Sequence, residues 1–218
     1  MGIKPQVGVI GLGKFGYKFG LTLLNLGYQV LGIDHDEENI EKAQKMFTQV
    51  FNADATQKEA LEQIGVGDMT HILVSVGNSI SASSMISMYL KELSVPNVWV
   101  KAINEDHAKL LRKVGADAVI IPEHLAAEQL AYRISMPGLI EKLPFEADIV
   151  IREITVEGPA QKTLREIDLT NRYNVQIVAI QKQGQSNYKF IPRADDQLVR
   201  GDKIIVIGDA KTLANITL

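Results

Sequence analysis

Three glycines near the start of the chain have the spacing of a phosphate-binding turn. Gly11, Gly13 and Gly16 follow the apolar segment 7–10 and precede an amphipathic segment that begins near Lys14. The first glycine permits a tight turn, the second leaves bare backbone for a diphosphate, and the third lets the next helix pack closely on the strand. The free N–H groups and positive dipole end of that helix attract phosphate. The pattern therefore predicts a nucleotide-binding strand–turn–helix unit.

A carboxylate follows at the distance expected of a ribose-binding acid. The apolar segment 30–33 ends at Asp34, eighteen positions after Gly16, against about twenty in dinucleotide-binding proteins. Asp34 can accept hydrogen bonds from both ribose hydroxyls, and its charge would repel a 2′-phosphate, which disfavours NADP. His35 is either a contact of the nucleotide or an ordinary loop histidine.

Polar residues also follow the other predicted strands, at the sheet edge where ligands bind. Asp54 and Thr56 are placed to meet the adenine edge, although Thr56, with Glu59 three residues later, also has the pattern of a helix N-cap. Small and amide side chains at 75–78 leave room for ribose and phosphates. The residues predicted to bind the nucleotide are Gly11, Leu12, Gly13, Lys14, Phe15, Gly16, Asp34, His35, Asn52, Ala53, Asp54, Ala55, Thr56, Ser75, Val76, Gly77, Asn78, Lys101 and Glu123.

Two lysines and one glutamate could act on the phosphates. Lys14 lies in the glycine turn and Lys101 ends a buried strand, so each could pair with a phosphate or remain solvated. Glu123, after the sixth predicted strand, could ligate a divalent metal ion or simply favour a helix N-terminus. No catalytic residue is predicted.

Alternating apolar and amphipathic segments place these residues on a doubly wound parallel α/β sheet. The predicted strands are rich in Val and Ile and apolar on both faces, so we expect helices to cover both faces of the sheet. Predicted strands cover 6–10, 29–33, 49–51, 71–76, 98–101 and 118–121, and predicted helices cover 14–26, 36–46, 58–64, 80–93, 105–114 and 123–135. Pro137 and Pro144 interrupt this pattern, with a short crossover helix predicted at 139–143. We expect an N-terminal Rossmann-like nucleotide-binding domain over 1–143.

The remaining residues, 144–218, have the pattern of a small α+β domain. Predicted strands cover 148–156, 175–181, 188–191 and 203–207, and short helices cover 162–167 and 210–213. A glycine at 184 predicts a hairpin-like turn. A unit of this size has a thin core and gains stability by pairing with a second copy.

Composition excludes several classes of protein. The chain has 218 residues and a net charge of −3, so no overall basic field favours nucleic acid. It contains no cysteine, which excludes disulfides, thiolate metal sites and cysteine nucleophiles. No apolar segment approaches the roughly twenty residues needed to span a bilayer, and no signal peptide pattern is present. We therefore expect a cytoplasmic protein.

The motifs of two enzyme classes are missing. Hydride transfer needs an acid or base beside the nicotinamide, yet the histidines lie at 35, 71, 107 and 124, outside the second domain. No P-loop GxxxxGK[ST] occurs either, so ordinary ATPase chemistry has no visible apparatus. A small NAD-dependent oxidoreductase and a redox-sensing nucleotide-binding regulator remain as alternatives to a regulator without turnover.

Several segments together resemble the RCK (regulator of potassium conductance) proteins of the TrkA/KtrA type. They are VIGLGKFG at 9–16, GID at 32–34, NADAT at 52–56, NVWVKA at 97–102 and GADAVIIPE at 115–123, with 163–169 and 173–180 in the second domain. The segment ending in Pro122-Glu123 is more specific than the glycine pattern. The resemblance covers nearly the whole chain and assigns 144–218 to the TrkA-C-like domain.

The resemblance implies a regulatory function without catalysis. RCK proteins of this type are cytosolic gating subunits of Trk and Ktr potassium uptake systems. They form an octameric ring, a tetramer of dimers, on the inner face of a membrane potassium-translocating pore subunit. ATP, ADP or NAD(H) changes the shape of the ring and so opens or closes the pore.

The resemblance also assigns roles to residues. It gives the ribose to Asp34, the adenine side to 54–56, and terminal phosphates to Lys14 and Lys101. It makes Glu123 a ligand of Mg²⁺ or Ca²⁺ between paired subunits. Many relatives bind cyclic di-AMP in the second domain, but Thr170 stands where an arginine is common, so the resemblance is weaker for that ligand.

Overall fold

A computed structural model of the chain describes residues 6–76, 79–143, 148–158 and 162–218. The chain divides into two compact units, Met1–Glu123 and His124–Leu218. The predicted domain boundary after residue 143 stays a prediction.

The first unit contains a six-stranded parallel sheet, which confirms the predicted Rossmann-like fold. The strand order is β3-β2-β1-β4-β5-β6, and every neighbouring pair is parallel. The strands are β1 (Gln6–Ile10), β2 (Gln29–Asp34), β3 (Gln49–Asn52), β4 (His71–Val74), β5 (Asn97–Lys101) and β6 (Ala118–Ile120). The helices are α1 (Lys14–Asn25), α2 (Glu37–Gln44), α3 (Lys58–Ile64), α4 (Ile80–Glu92) and α5 (Glu105–Lys113), with a 3₁₀ turn at Val66–Asp68. Helix α6 (Pro122–Ser135) begins in the first unit, and its residues from His124 onward belong to the second.

The register brings the carboxyl ends of the strands to one edge. Ile10 of β1 pairs with Ile33 of β2 and with Val74 of β4, and Asp34 pairs with Asn52 of β3. The chain runs outward from β1 to β3 and then returns to β4, so β1 and β4 flank the point where the strand order reverses. Ligands of open α/β sheets bind in the crevice at such a point.

Helices do not cover both faces of the sheet equally. On β5, Val98 and Val100 are fully buried, whereas Trp99 between them is 41% exposed. An apolar groove of about 290 Å³ lies beside Trp99 and includes Phe19 and Leu23 of α1. The expectation that every strand is apolar on two covered faces is therefore wrong at β5.

The helix caps agree with the sequence except at α3. Asp36, where the predicted helix 36–46 begins, caps α2 by accepting from the backbone N–H of Asn39 at 3.0 Å. Thr56 was predicted to cap α3, but the N-cap is Gln57, which makes no side-chain capping bond. The Thr56 hydroxyl instead donates to Asp54 at 2.7 Å, which tightens the loop after β3.

The second unit is an antiparallel sheet with short helices, as the sequence predicts. Its main sheet has the order β11-β10-β13-β8-β7, and β9 pairs with β12. The elements are β7 (Leu139–Lys142), β8 (Ile149–Thr155), β9 (Lys162–Thr163), α7 (Leu164–Ile167), α8 (Leu169–Tyr173), β10 (Gln176–Gln181), β11 (Tyr188–Phe190), β12 (Gln197–Leu198), β13 (Lys203–Asp209) and α9 (Ala210–Ala214).

Two local predictions in this unit are corrected. The crossover helix predicted at 139–143 is wrong, because Leu139–Lys142 forms β7 and pairs antiparallel with β8. The helix predicted at 162–167 begins only at Leu164, because Thr163 is its N-cap and forms a capping box with Glu166. The predicted turn at Gly184 is confirmed: the residue has φ +79° and lies between the paired strands β10 and β11.

One buried carboxylate ties together the loops of the second unit. Asp202 is fully buried and accepts hydrogen bonds from Lys182 Nζ at 2.6 Å and from the backbone of Gln183 and Val199 at 2.9 and 3.0 Å. Burial by itself would raise the pKa of Asp202, but the hydrogen bonds from Lys182 and the two N–H groups outweigh it and lower the pKa.

In the described part of the chain, every helix is too short or too polar to span a lipid bilayer.

Candidate nucleotide-binding site

A cleft of about 540 Å³ opens at the carboxyl edge of the parallel sheet. Residues that end or follow five successive strands, β1 to β5, line it. Its lining consists of Ile10, Gly11, Gly13, Lys14, Phe15, Ile33, Asp34, His35, Asp36, Asn39, Ala53, Asp54, Ala55, Thr56, Ser75, Val76, Ser79, Ala82, Ile86 and Lys101. The cleft thus brings together most of the residues that the sequence predicted as a site.

The remaining predicted residues lie elsewhere. Leu12 is buried in the glycine turn, Gly16 is buried in the first turn of α1, and Asn52 ends β3 opposite Asp34. Glu123 does not line the cleft, and Gly77 and Asn78 lie outside the described residues.

Each glycine of the turn is required for a different reason. Gly11 has φ +91°, and an added Cβ would lie 2.4 Å from the carbonyl oxygen of Ser75. A Cβ on Gly16 would lie 2.0 Å from the carbonyl oxygen of Gly11. A Cβ on Gly13 would have no neighbour within 4 Å and would project into open space. Folding therefore explains Gly11 and Gly16, whereas Gly13 leaves room that a diphosphate would fill.

The carboxylate of Asp34 lies at the centre of this edge. It is 9% exposed. One oxygen accepts from the backbone N–H groups of His35 and Asp36 at 2.8 and 3.0 Å. The other accepts from the N–H of Leu12 at 2.6 Å, which joins β2 to the glycine turn. These bonds fix the carboxylate where a ribose beside the turn would meet it.

Asn39 is a lining residue that the sequence analysis missed. Its side-chain Nδ2 donates to the second oxygen of Asp34 at 3.1 Å. Its backbone N–H donates to Asp36, the N-cap residue of α2. The signal in the sequence is weak, because an asparagine in the first turns of a helix is usually read as part of its cap.

The loop after β3 presents an acid that is held ionised. Asp54 accepts from both the hydroxyl and the N–H of Thr56. These bonds, the side-chain one first, lower the pKa of Asp54. His35 contacts Asp34 only loosely, with 3.7 Å between Nδ1 and the nearer oxygen, and its side chain is 82% exposed.

Two lysines give the cleft its positive charge, in different environments. Lys14 is exposed at the start of α1. Lys101 is half-buried at the end of β5, and its Nζ lies 3.0 Å from Oε1 of Glu123 at the start of α6. A phosphate that binds Lys101 would therefore compete with Glu123. Among the described residues, no group of three His, Asp or Glu side chains could hold a metal ion.

A buried network supports the side of the cleft formed by α4. Ser79 caps α4 and lines the cleft, and the hydroxyl of Ser83 donates to its carbonyl at 2.9 Å. Nε2 of His107 lies 2.9 Å from that hydroxyl, and the N–H of Ile103 donates to Nδ1. The N–H bond to Nδ1 assigns the proton to Nε2, and burial lowers the pKa of His107, so the ring is neutral.

Comparison with known proteins identifies both halves of the chain. Residues 7–122 match the TrkA-N domain and residues 149–217 match the TrkA-C domain. Ktr system potassium uptake protein C of Bacillus subtilis (strain 168) is 32% identical over 213 residues, 97% of this chain and 96% of that protein. Ktr system potassium uptake protein A of Vibrio alginolyticus is 31% identical over 211 residues, 96% of this chain and 95% of that protein.

Solved structures share the fold. The GsuK channel bound to NAD matches with a TM-score of 0.51 at 22% identity, over 97% of this chain and 37% of that chain. The TrkA-N domain of inner membrane protein ybaL from Escherichia coli matches with a TM-score of 0.54 at 14% identity, over 60% of this chain and 97% of that chain. The resemblance to RCK proteins is thereby confirmed, and the chain belongs to the TrkA-N/TrkA-C family that includes the Ktr system potassium uptake proteins.

Proposed function

We propose that this chain is a regulatory, nucleotide-binding subunit of a potassium uptake system, and that it acts without catalytic turnover. The observation that carries the proposal is the cleft at the reversal point of the sheet, where Gly13 leaves open backbone beside the fixed carboxylate of Asp34. The Ktr relatives, which match along nearly their full length, supply the potassium uptake system as the context.

The ligand we propose is an adenosine ribonucleotide: ATP, ADP, NAD or NADH. Asp34 would accept from the ribose, and the N–H groups at the start of α1 would hold the diphosphate. Asp54 would face the adenine side, and Lys14 and Lys101 would neutralise the terminal phosphates. All four nucleotides present the same ribose, and ATP differs from ADP by the phosphate that the two lysines would share.

A divalent cation, Mg²⁺ or Ca²⁺, is a further part of the proposal. Glu123 alone does not form a metal site in one chain, since its carboxylate pairs with Lys101. Nucleotide phosphates and a second subunit would have to supply the other ligands. Cyclic di-AMP is left out of the proposal. A cleft of about 300 Å³ in the second unit is lined by Thr170, the position where the resemblance expects an arginine, and by Arg165, which pairs with Asp195 at 3.0 Å.

We propose that copies of the chain assemble into a ring, an octamer of paired subunits, on the cytoplasmic side of a membrane pore subunit. Two apolar surfaces support self-association. No described residue of α6 is buried, and Leu125, Leu130 and Ile134 are 56%, 60% and 83% exposed. The groove beside Trp99 is a second such surface. Exposed apolar patches of this kind mark interaction sites.

Nucleotide can act on the pore only by binding one ring shape more tightly than the other. The test is potassium flux through vesicles that contain this chain and a Ktr-type pore subunit, with ATP, ADP or NADH added. We expect the flux to depend on which nucleotide is present and to lose that dependence in Asp34→Asn. The control is Asp209→Asn, which removes a helix-capping carboxylate in the second unit. Flux indifferent to nucleotide, or oxidation of NADH with turnover, would refute the proposal and favour an oxidoreductase.

A further inference from the structure

Among the described residues, four donors surround the carboxylate of Asp34. His35 and Asp36 donate to one oxygen, and Leu12 and Asn39 donate to the other, at 2.6 to 3.1 Å. An ionised carboxylate offers about four lone-pair positions. A ribose hydroxyl that binds Asp34 must therefore replace one of the donors already there.

Only one of the four donors can leave without moving the backbone. Leu12, His35 and Asp36 donate main-chain N–H groups, and Leu12 is 1% exposed inside the glycine turn. The fourth donor is the side-chain amide of Asn39, which lines the cleft, is only half-buried, and makes the longest of the four bonds at 3.1 Å. Rotation about its side-chain torsions would take the amide away from Asp34.

We propose that Asn39 is the donor that a ribose hydroxyl replaces, and that it sets how strongly this cleft selects ribose. The inference rests on the proposed nucleotide-binding function and adds a residue to it. Asn39 keeps the carboxylate hydrogen-bonded and oriented when no hydroxyl is present. A ribonucleotide that binds then replaces the hydrogen bond from Asn39 with one from its own hydroxyl and gains no additional bond at that oxygen. Its affinity is therefore lower than it would be without Asn39.

Asn39 can be replaced without disturbing the N-terminus of α2. Its backbone N–H makes the capping bond to Asp36, and that bond does not depend on the side chain. The residue lies in α2, where alanine and leucine are both good helix formers. Asn39→Ala and Asn39→Leu should therefore fold, and leucine keeps the branched shape of the side chain while removing its polar atoms.

The experiment compares ATP with 2′,3′-dideoxy-ATP, which lacks both ribose hydroxyls, by calorimetry without divalent cations. Removing the competing amide should tighten ATP binding by about 3- to 10-fold in both variants, the range of one net hydrogen bond. Binding of the dideoxy nucleotide should stay within about 2-fold of wild type, because it has no hydroxyl to place. The matched control is Asn171→Ala, which removes a similar amide–carboxylate bond, Asn171 to Asp168 at 2.6 Å, in the second unit.

Three results would overturn the inference. Unchanged ATP affinity in both variants would mean that Asn39 and ribose do not compete. Weaker ATP binding with unchanged dideoxy-ATP binding would mean that Asn39 itself holds the ribose. An equal gain for both nucleotides would mean that the variants merely open the cleft. If the wild-type chain bound no adenine nucleotide, the proposed function itself would fail. Any of the three results above, obtained with a wild-type chain that does bind ATP, would refute only the role of Asn39.

Discussion

Gly13→Ala separates what the glycine turn needs for folding from what it needs for a ligand. Gly13 has φ −62° and ψ −170°, an extended conformation that alanine adopts freely, and an added Cβ meets nothing within 4 Å. Replacing glycine in a compatible conformation stabilises a protein by about 0.4–1 kcal/mol through the unfolded chain. Glycine is preferred over alanine at an N-cap, and that preference offsets about 0.5–1 kcal/mol of the gain. We expect a free energy of unfolding within about 1 kcal/mol of wild type.

Nucleotide binding should respond very differently to the same methyl group. The Cβ would occupy the space beside the first N–H groups of α1, where we place the diphosphate. Overpacking of this kind costs about 1–3 kcal/mol, which corresponds to an affinity loss of about 5- to 150-fold. Calorimetry gives the affinity for ATP, ADP and NAD, and thermal denaturation of the same samples gives the stability.

Two further glycine variants complete the comparison. Gly16→Ala should destabilise the first unit, because its Cβ would lie 2.0 Å from a backbone oxygen that has little room to move. Gly158→Ala, whose nearest neighbour would be 3.6 Å away in the second unit, should change neither property. A Gly13→Ala variant that folds normally and binds all three nucleotides as tightly as wild type would show that no diphosphate lies beside Gly13.

Three further predictions concern pH and charge. Asp202→Asn should destabilise the second unit by about 2–4 kcal/mol, because the ammonium and the N–H groups around it lose their carboxylate. The pKa of Asp202 is lowered from 3.8, so its contribution to wild-type stability is present above about pH 4 and is lost on further acidification. Urea titrations from pH 7 to 3 should therefore show a larger loss of stability in wild type than in Asp202→Asn. Burial lowers the pKa of His107 from 6.5, so the free energy of unfolding should fall as the pH drops below about 6.5, by at most about 1.4 kcal/mol per pH unit. Wild type and the control His35→Gln should both show this fall, and His107→Gln should not. Glu123→Gln should strengthen ATP binding by about 2- to 5-fold without divalent cations, because Glu123 no longer competes with phosphate for Lys101. The same variant should weaken ATP binding when Mg²⁺ is present. Calorimetry that shows a lower affinity in both conditions would contradict the competition between Glu123 and phosphate.

The parts of the site that follow local rules were predictable from the sequence. The glycine turn and Asp34 depend on spacing within one strand–turn–helix–strand unit, and that spacing is visible in the residues themselves. The alternation of apolar and amphipathic segments likewise predicted the parallel sheet, because strands buried between helices need Val and Ile on both faces.

Several misses depend on contacts that residue patterns do not specify, some of them between segments far apart in the chain. Leu139–Lys142 has the composition of a short helix, but pairing with β8 makes it a strand. Trp99 lies in an apolar strand, and its exposure depends on which helices cover that face of the sheet, which the residues of the strand do not specify. The role of Asn39 depends on how α2 positions its amide against Asp34. The Lys101–Glu123 ion pair depends on how the end of β5 packs against the start of α6.

The most direct measurement is calorimetric titration of ATP, ADP and NADH into the wild-type chain and into Asp34→Asn, with the particle size determined in the same samples. We expect adenosine ribonucleotides to bind a ring-sized oligomer in wild type, with an affinity loss of about 10-fold or more in Asp34→Asn, whose amide cannot accept the same hydrogen bonds. Equal affinity of the two proteins, or no binding by a well-folded wild type, would contradict it.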